Sequence, residues 1–71
     1  MTARPVKHSL TLKGHRTSVS LEDSFWLAFR EIAGKRGVAL NVLAAEIDAG
    51  RCEDVGLASA IRVFVLETLR R

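Results

Sequence analysis

Apolar and polar side chains alternate along "KHSLTLKGHRTSVSLE", Lys7 to Glu22, but the alternation changes phase at Lys13-Gly14. Leu10 and Leu12 occupy even positions, whereas Val19 and Leu21 occupy odd ones. Successive side chains on a strand point to opposite faces, so one straight strand cannot bury both pairs together. From Glu22 the period becomes helical, with Phe25, Phe29, Ile32 and Arg36 on one stripe flanked by Trp26 and Ala33. Glu22 and Asp23 complement the dipole of this first helix, and Gly37 after Lys35 and Arg36 predicts its stop. Leu40, Leu43, Ala44 and Ile47 repeat at the i, i+3, i+4, i+7 spacing and predict a second helix ending near Gly50. After the polar loop "GRCEDVG" a third helix is predicted over residues 57–71. Its apolar positions are Leu57, Ala60, Ile61, Phe64, Val65 and Leu69, widened by Val63 and Leu66.

A two-residue turn at Lys13-Gly14 reconciles the two phases of the strand region. It sets Leu12 opposite His15 and Leu10 opposite Thr17, so Leu10 and Leu12 share a face with Thr17 and Val19. Ser9, Thr11 and Lys13 then lie beside Arg16 and Ser18 on the polar face. Residues 7–12 are therefore expected to fold back as an extra N-terminal strand forming a hairpin, although Lys-Gly is a weaker turn signal than Asn-Gly or Asp-Gly. Residues 1–6, with Pro5 and no periodicity, read as a mobile N-terminal arm, and residues 7–71 as a single domain. The fold class is mainly α with an N-terminal β-ribbon and a third, C-terminal helix.

A chain of 71 residues buries too little of its surface to be comfortable without a staple. Cys52 is the only cysteine, so no intrachain disulfide forms, and this usage fits a reducing cytoplasm. His8 and His15 have no metal-ligand spacing relative to it, and neither a metal nor a cofactor is expected. Oligomerisation is the remaining remedy, and a hydrophobic content of 48% supports an obligate homodimer. Its core is expected to draw on Val19, Leu21, Phe25, Trp26, Phe29, Ile32, Leu43, Ile47, Ile61, Phe64 and Val65. The run Val63 to Leu66 is far too short to span a bilayer, and the N-terminus lacks a signal peptide's apolar segment, so the protein is expected in the cytoplasm without membrane contact.

The net charge of +3 is unevenly spread. Arg4, Lys7, Lys13 and Arg16 fall within residues 1–20 without a single acid, while acids slightly outnumber bases in the remainder. A polyanion would be drawn to the N-terminal segment; a solubilising basic tail is the alternative. Catalysis finds little support. The five glycines form no phosphate-cradling pattern, and His15 with Ser18 or Ser20 lacks an orienting third group. Cys52 sits near Arg51, which favours a thiolate, but Glu53 and Asp54 oppose it, so it reads as a bystander rather than a redox sensor.

The segment "HRTSVSLE" puts Thr17, Val19 and Leu21 on one face and Arg16, Ser18 and Ser20 on the other. A guanidinium and hydroxyls in a row suit base edges and phosphates, though an ordinary edge strand turned to water has the same alternation. Pairing this strand with its copy in a second subunit would supply backbone partners and make an antiparallel ribbon of the width that a DNA major groove admits.

The order "HRTSVSLE", "DSFWLAFREIAGKRG", "VALNVLAAEI" resembles the ribbon-helix-helix DNA-binding proteins over about Gly14 to Gly50. It is most similar to small bacterial members with an extra C-terminal helix, here "LASAIRVFVLETLR". The resemblance implies a homodimer that inserts an intersubunit ribbon into the major groove, with Arg16, Ser18 and Ser20 reading bases. It also implies that the N-terminus of the second helix, at Leu40 and Asn41, holds a phosphate. Ala39 departs from the Ser or Thr often found before that helix, which removes a cap and a phosphate contact and shifts weight onto Asn41.

Lys7 and Lys13 are the further phosphate contacts expected from charge. A four-stranded sheet is too broad for a groove that accepts two strands, so any extra outer strands either peel away as basic arms or mark a protein that does not read DNA in this way. The expected function is a bacterial transcriptional regulator on a pseudo-palindromic site, with higher-order assembly on DNA left open. The rival is a dimeric protein-interaction module, or an antitoxin-like partner protein, that keeps the fold without specific DNA readout.

Overall fold

The computed structural model describes residues 4–71. Two strands and three helices follow in chain order: β1 (Val6–Leu12), β2 (His15–Leu21), α1 (Asp23–Arg36), α2 (Leu40–Gly50) and α3 (Leu57–Leu69). Of the arm expected over residues 1–6, positions 1–3 lie outside the described residues, and Val6 is already part of β1.

β1 and β2 form an antiparallel hairpin, and β2 thereby finds its strand partner within its own chain. Leu12 faces His15, Leu10 faces Thr17, and the register continues through His8 opposite Val19 to Val6 opposite Leu21. The turn that sets this register has Lys13 at φ 52° and Gly14 at φ 84°. Positive φ at both central residues is the signature of a type I′ turn, whose twist matches that of the flanking strands. Glycine occupies the second position without penalty; lysine occupies the first against its preference.

The phase change is thus a change of strand. Leu10, Val19 and Leu21 are buried beneath the sheet, Leu12 and His8 are half-buried beside them, and the opposite face is exposed throughout. Thr17 belongs to the inner face by alternation but remains exposed, because it lies towards the hairpin tip over an open cleft. Leu12, His15, Asp48, Arg51 and Leu57 line that cleft with it.

The helices close the other side of the core. α1 contributes Phe29, Ile32 and Ala33, α2 contributes Leu43 and Ala44, and α3 contributes Ile61 and Val65. α1 ends as its sequence predicts, with Gly37 left-handed at φ 68° and the Val38 N–H returning to the Ala33 carbonyl. α2 starts at Ala39 without a side-chain cap. Arg51 then orders the polar loop, its guanidinium 2.8 Å from Asp48 Oδ1 and donating to the Val55 carbonyl at 2.8 Å.

Seven of the residues expected in a dimer core, namely Val19, Leu21, Phe29, Ile32, Leu43, Ile61 and Val65, are buried within this single chain. Phe25, Trp26, Ile47 and Phe64 pack partly buried around them. Phe29 meets Phe64 edge-on, with centroids 6.5 Å apart, and Trp26 at 6.3 Å. No helix among the described residues is long and apolar enough to cross a membrane.

Candidate nucleic-acid interface

The hairpin's exposed face is assembled by simple alternation. With a two-residue turn, the pair next to the turn, Leu12 and His15, exchanges backbone hydrogen bonds, and every second pair does likewise. The intervening pairs are Thr11 with Arg16, Ser9 with Ser18 and Lys7 with Ser20. All six side chains are exposed, while their inner-face neighbours Leu10, Val19 and Leu21 are buried. The three residues predicted to read bases, Arg16, Ser18 and Ser20, therefore stand in one row, and Lys7, Ser9 and Thr11 stand in the row beside it. Between Val6 and Leu21 there is no acid, whereas Lys7, Lys13 and Arg16 supply three fixed positive charges. Lys13 sits at the tip of the turn.

Backbone groups of these intervening residues point to the outer edges of the hairpin. On the β1 edge, the Thr11 N–H donates to Asn41 Oδ1 at 3.1 Å. Asn41 is the second residue of α2, so this bond ties the strand to the helix N-terminus expected to hold a phosphate. The Asn41 side-chain oxygen is occupied by that bond, which leaves its amide donors and the first N–H groups of α2 for an anion. Leu40 itself is half-buried against the core, so its part in such a site is limited to its backbone N–H.

On the β2 edge, Arg62 of α3 donates to the Ser20 carbonyl at 3.3 Å and to Glu22 Oε1 at 2.9 Å. Its guanidinium carbon also lies 5.9 Å from the centre of the Phe25 ring. The hydrogen bond from Arg62 holds the Glu22 carboxyl below its ordinary pKa. A second tie fixes β1 from beneath: the His8 ring stacks on Trp26 at 3.9 Å and 4°.

Sequence reasoning put Arg16, Ser18 and Ser20 on one face of the strand and Thr11 and Ser9 beside them, and the register has them so. It did not find the Asn41 bond, the His8 stack or the Arg62 clamp. These depend on partners 30, 18 and 42 residues apart, and no local pattern marks them. Cys52 is free and exposed in the loop before α3. Among the described residues no three His, Cys, Asp or Glu side chains are grouped to hold a metal.

Residues 5–69 match a family model described as a ribbon-helix-helix domain, which covers nearly the whole chain and both of the added elements, β1 and α3. No match was found among curated proteins or among solved structures.

Proposed function

The chain belongs to the ribbon-helix-helix domain family, and from that membership we propose that it is a sequence-specific DNA-binding protein that regulates transcription in a bacterial cytoplasm. At the level of the family, membership supports a DNA-binding, regulatory role. The observation that carries the finer reading is the hairpin's outer face: Arg16, Ser18 and Ser20 exposed in one row on a cationic, acid-free ribbon. Arginine pairs bidentately with guanine, and serine hydroxyls serve several base edges. Lys7, Lys13 and the N-terminus of α2 at Leu40 and Asn41 supply the phosphate contacts that set orientation.

A homodimer would present two such faces to the halves of a pseudo-palindromic site. The unpaired edge of β2 is where a second copy's β2 would add to form an intersubunit ribbon. Arg62 partly obstructs that edge.

The test is DNA selection from a pool of genomic fragments by wild type and Arg16→Ala at two salt concentrations. Wild type should enrich a palindromic subset, and Arg16→Ala should lose about 1 to 3 kcal/mol of discrimination. In the same assay Lys7→Ala should weaken binding evenly across sequences and lower the salt slope by about 0.9. An Arg16→Ala protein that selects its site normally would defeat the base-reading assignment.

A protein-interaction or antitoxin-like role is the second reading. It is favoured by the groove between α2 and α3, where Leu43, Ile47, Val63 and Phe64 form an apolar floor. Absence of DNA binding even at low salt would select it.

A further inference from the structure

We propose that Arg62 is a removable guard on the open edge of β2: while its guanidinium holds the Ser20 carbonyl, that edge is closed to a second copy of the chain, and the intersubunit ribbon forms only when the guanidinium withdraws. This rests on the reading of β2 as the strand that joins two copies, and it adds what controls the joining.

The edge is open by construction. β1 covers one side of β2, and alternation turns the backbone N–H and C=O groups of Arg16, Ser18 and Ser20 to the other. Among the described residues no strand lies on that side. An uncovered row of donors and acceptors is a template for any strand that meets it, and a charged side chain placed across it is a common obstacle to such pairing.

Arg62 is that obstacle, and three contacts place it. Its Nε donates to Glu22 Oε1 at 2.9 Å, its Nη2 donates to the Ser20 carbonyl at 3.3 Å, and its guanidinium carbon lies 5.9 Å from the centre of the Phe25 ring. Glu22 follows β2 directly, so its carboxylate anchors the guanidinium at the foot of the strand whose edge it covers. The same bond keeps that carboxyl below its ordinary pKa, so the anchor stays charged at neutral pH.

The contacts are unequal, which makes the guard removable. The bond to Glu22 is short, joins opposite charges and is half-buried, whereas the bond to Ser20 is longer, exposed and made to a neutral carbonyl. The guanidinium can tilt off Ser20 while Nε stays on Glu22.

A second copy competes for the same atom. In an antiparallel ribbon centred on Ser18, Ser20 stands opposite the second copy's Arg16, whose N–H needs the Ser20 carbonyl. Two-fold symmetry means that two guards withdraw for each dimer formed. At about a two- to threefold effect for each exposed contact, the pair weakens association roughly four- to ninefold. Arg62 thus lets α3 set the protein concentration at which the ribbon assembles.

The experiment is sedimentation equilibrium of the full chain as wild type, Arg62→Met, Glu22→Gln and Arg70→Met, with amide hydrogen exchange measured on the dimer. Methionine keeps an apolar stem over Phe25 but cannot donate, and Arg70→Met makes the same change at the exposed C-terminal end of α3. Arg62→Met should lower the dissociation constant of the dimer roughly four- to ninefold, Glu22→Gln should lower it less, and Arg70→Met should leave it unchanged. In the dimer the Arg16 and Ser18 amides, which face the open edge in the single chain, should exchange slowly. If Arg62→Met associates no more tightly than wild type, if Arg70→Met gains as much, or if wild type stays fully dimeric down to nanomolar concentration, the guard limits nothing and the inference falls while the ribbon dimer stands. If dimers form with these amides unprotected, or neither wild type nor Arg62→Met dimerises, the ribbon reading falls and takes the inference with it.

Discussion

The register that places Thr11 opposite Arg16 is pinned at one point, the Lys13-Gly14 turn, and two substitutions there should move stability in opposite directions. Gly14 has φ 84°, and a Cβ added to it would meet no atom within 4 Å. The cost of Gly14→Ala is therefore purely that of holding an L-residue in the left-handed region, about 1 to 2 kcal/mol. In a domain of this size each kcal/mol shifts Tm by about 4 to 8 °C, so a loss of roughly 5 to 15 °C is expected. Lys13 already carries a similar strain at φ 52°. Asparagine tolerates that conformation better, so Lys13→Asn should raise Tm by a few degrees, with a gain of about 0.5 to 1 kcal/mol.

The same Lys13→Asn change removes a cation from the hairpin tip. It should weaken DNA binding evenly and reduce the salt slope by about 0.9 while the protein becomes more stable. Circular dichroism melts at fixed protein concentration, combined with binding at two salt concentrations, read both effects. If Gly14→Ala melts within about 2 °C of wild type, the turn does not hold two positive φ angles in solution. The pairing of Thr11 with Arg16 then loses its geometric basis.

Two further outcomes test the packing around the site. Because Arg62 lowers the Glu22 pKa, this pair adds stability that is fully present above the ordinary glutamate pKa and is lost as pH falls through the lowered one. Glu22→Gln should abolish that part of the acid-side loss in melts recorded from neutral to acidic pH; a variant with an unchanged acid limb would show that the clamp contributes nothing. Ile61 is fully buried, so Ile61→Ala should cost about 2 to 5 kcal/mol, against a total of roughly 4 to 11 kcal/mol for a chain this long. Urea titration should show a large fall in midpoint, and a fall under about 1 kcal/mol would mean that α3 is not part of the cooperative core.

Much of this architecture could be read from the chain because its signals are local. Gly37 ends α1, the i, i+3, i+4, i+7 run marks α2, and the parity switch at Lys13-Gly14 gives the hairpin and its register. Arg16, Ser18 and Ser20 followed from the same parity argument. Contacts made through tertiary approach were hidden. Asn41 was legible as part of a helix N-terminus, but its bond to Thr11 depends on β1 lying beside α2. Arg62 carries no local signal as a lone basic position on an apolar helix, yet it reaches both Ser20 and Glu22. Glu67 and Arg71 stand at the i, i+4 spacing that favours an ion pair on a helix. Among the described residues the ion pairs are instead Arg51 with Asp48 and Arg62 with Glu22.

The two elements that flank β2, α1 and α2, namely β1 and α3, do one physical job between them. A lone strand before two short helices leaves both of its backbone edges and its inner face uncovered. Here β1 satisfies one edge of β2, Arg62 takes a carbonyl on the other, and Ile61 and Val65 from α3 close the core beneath. The large apolar side chains that remain exposed are Val63, Leu66 and Leu69 on α3, Leu27 on α1, Val42 on α2 and Val6 at the start of β1. Most of the apolar surface that stays exposed therefore lies on the helices, while the hairpin's outer face is polar.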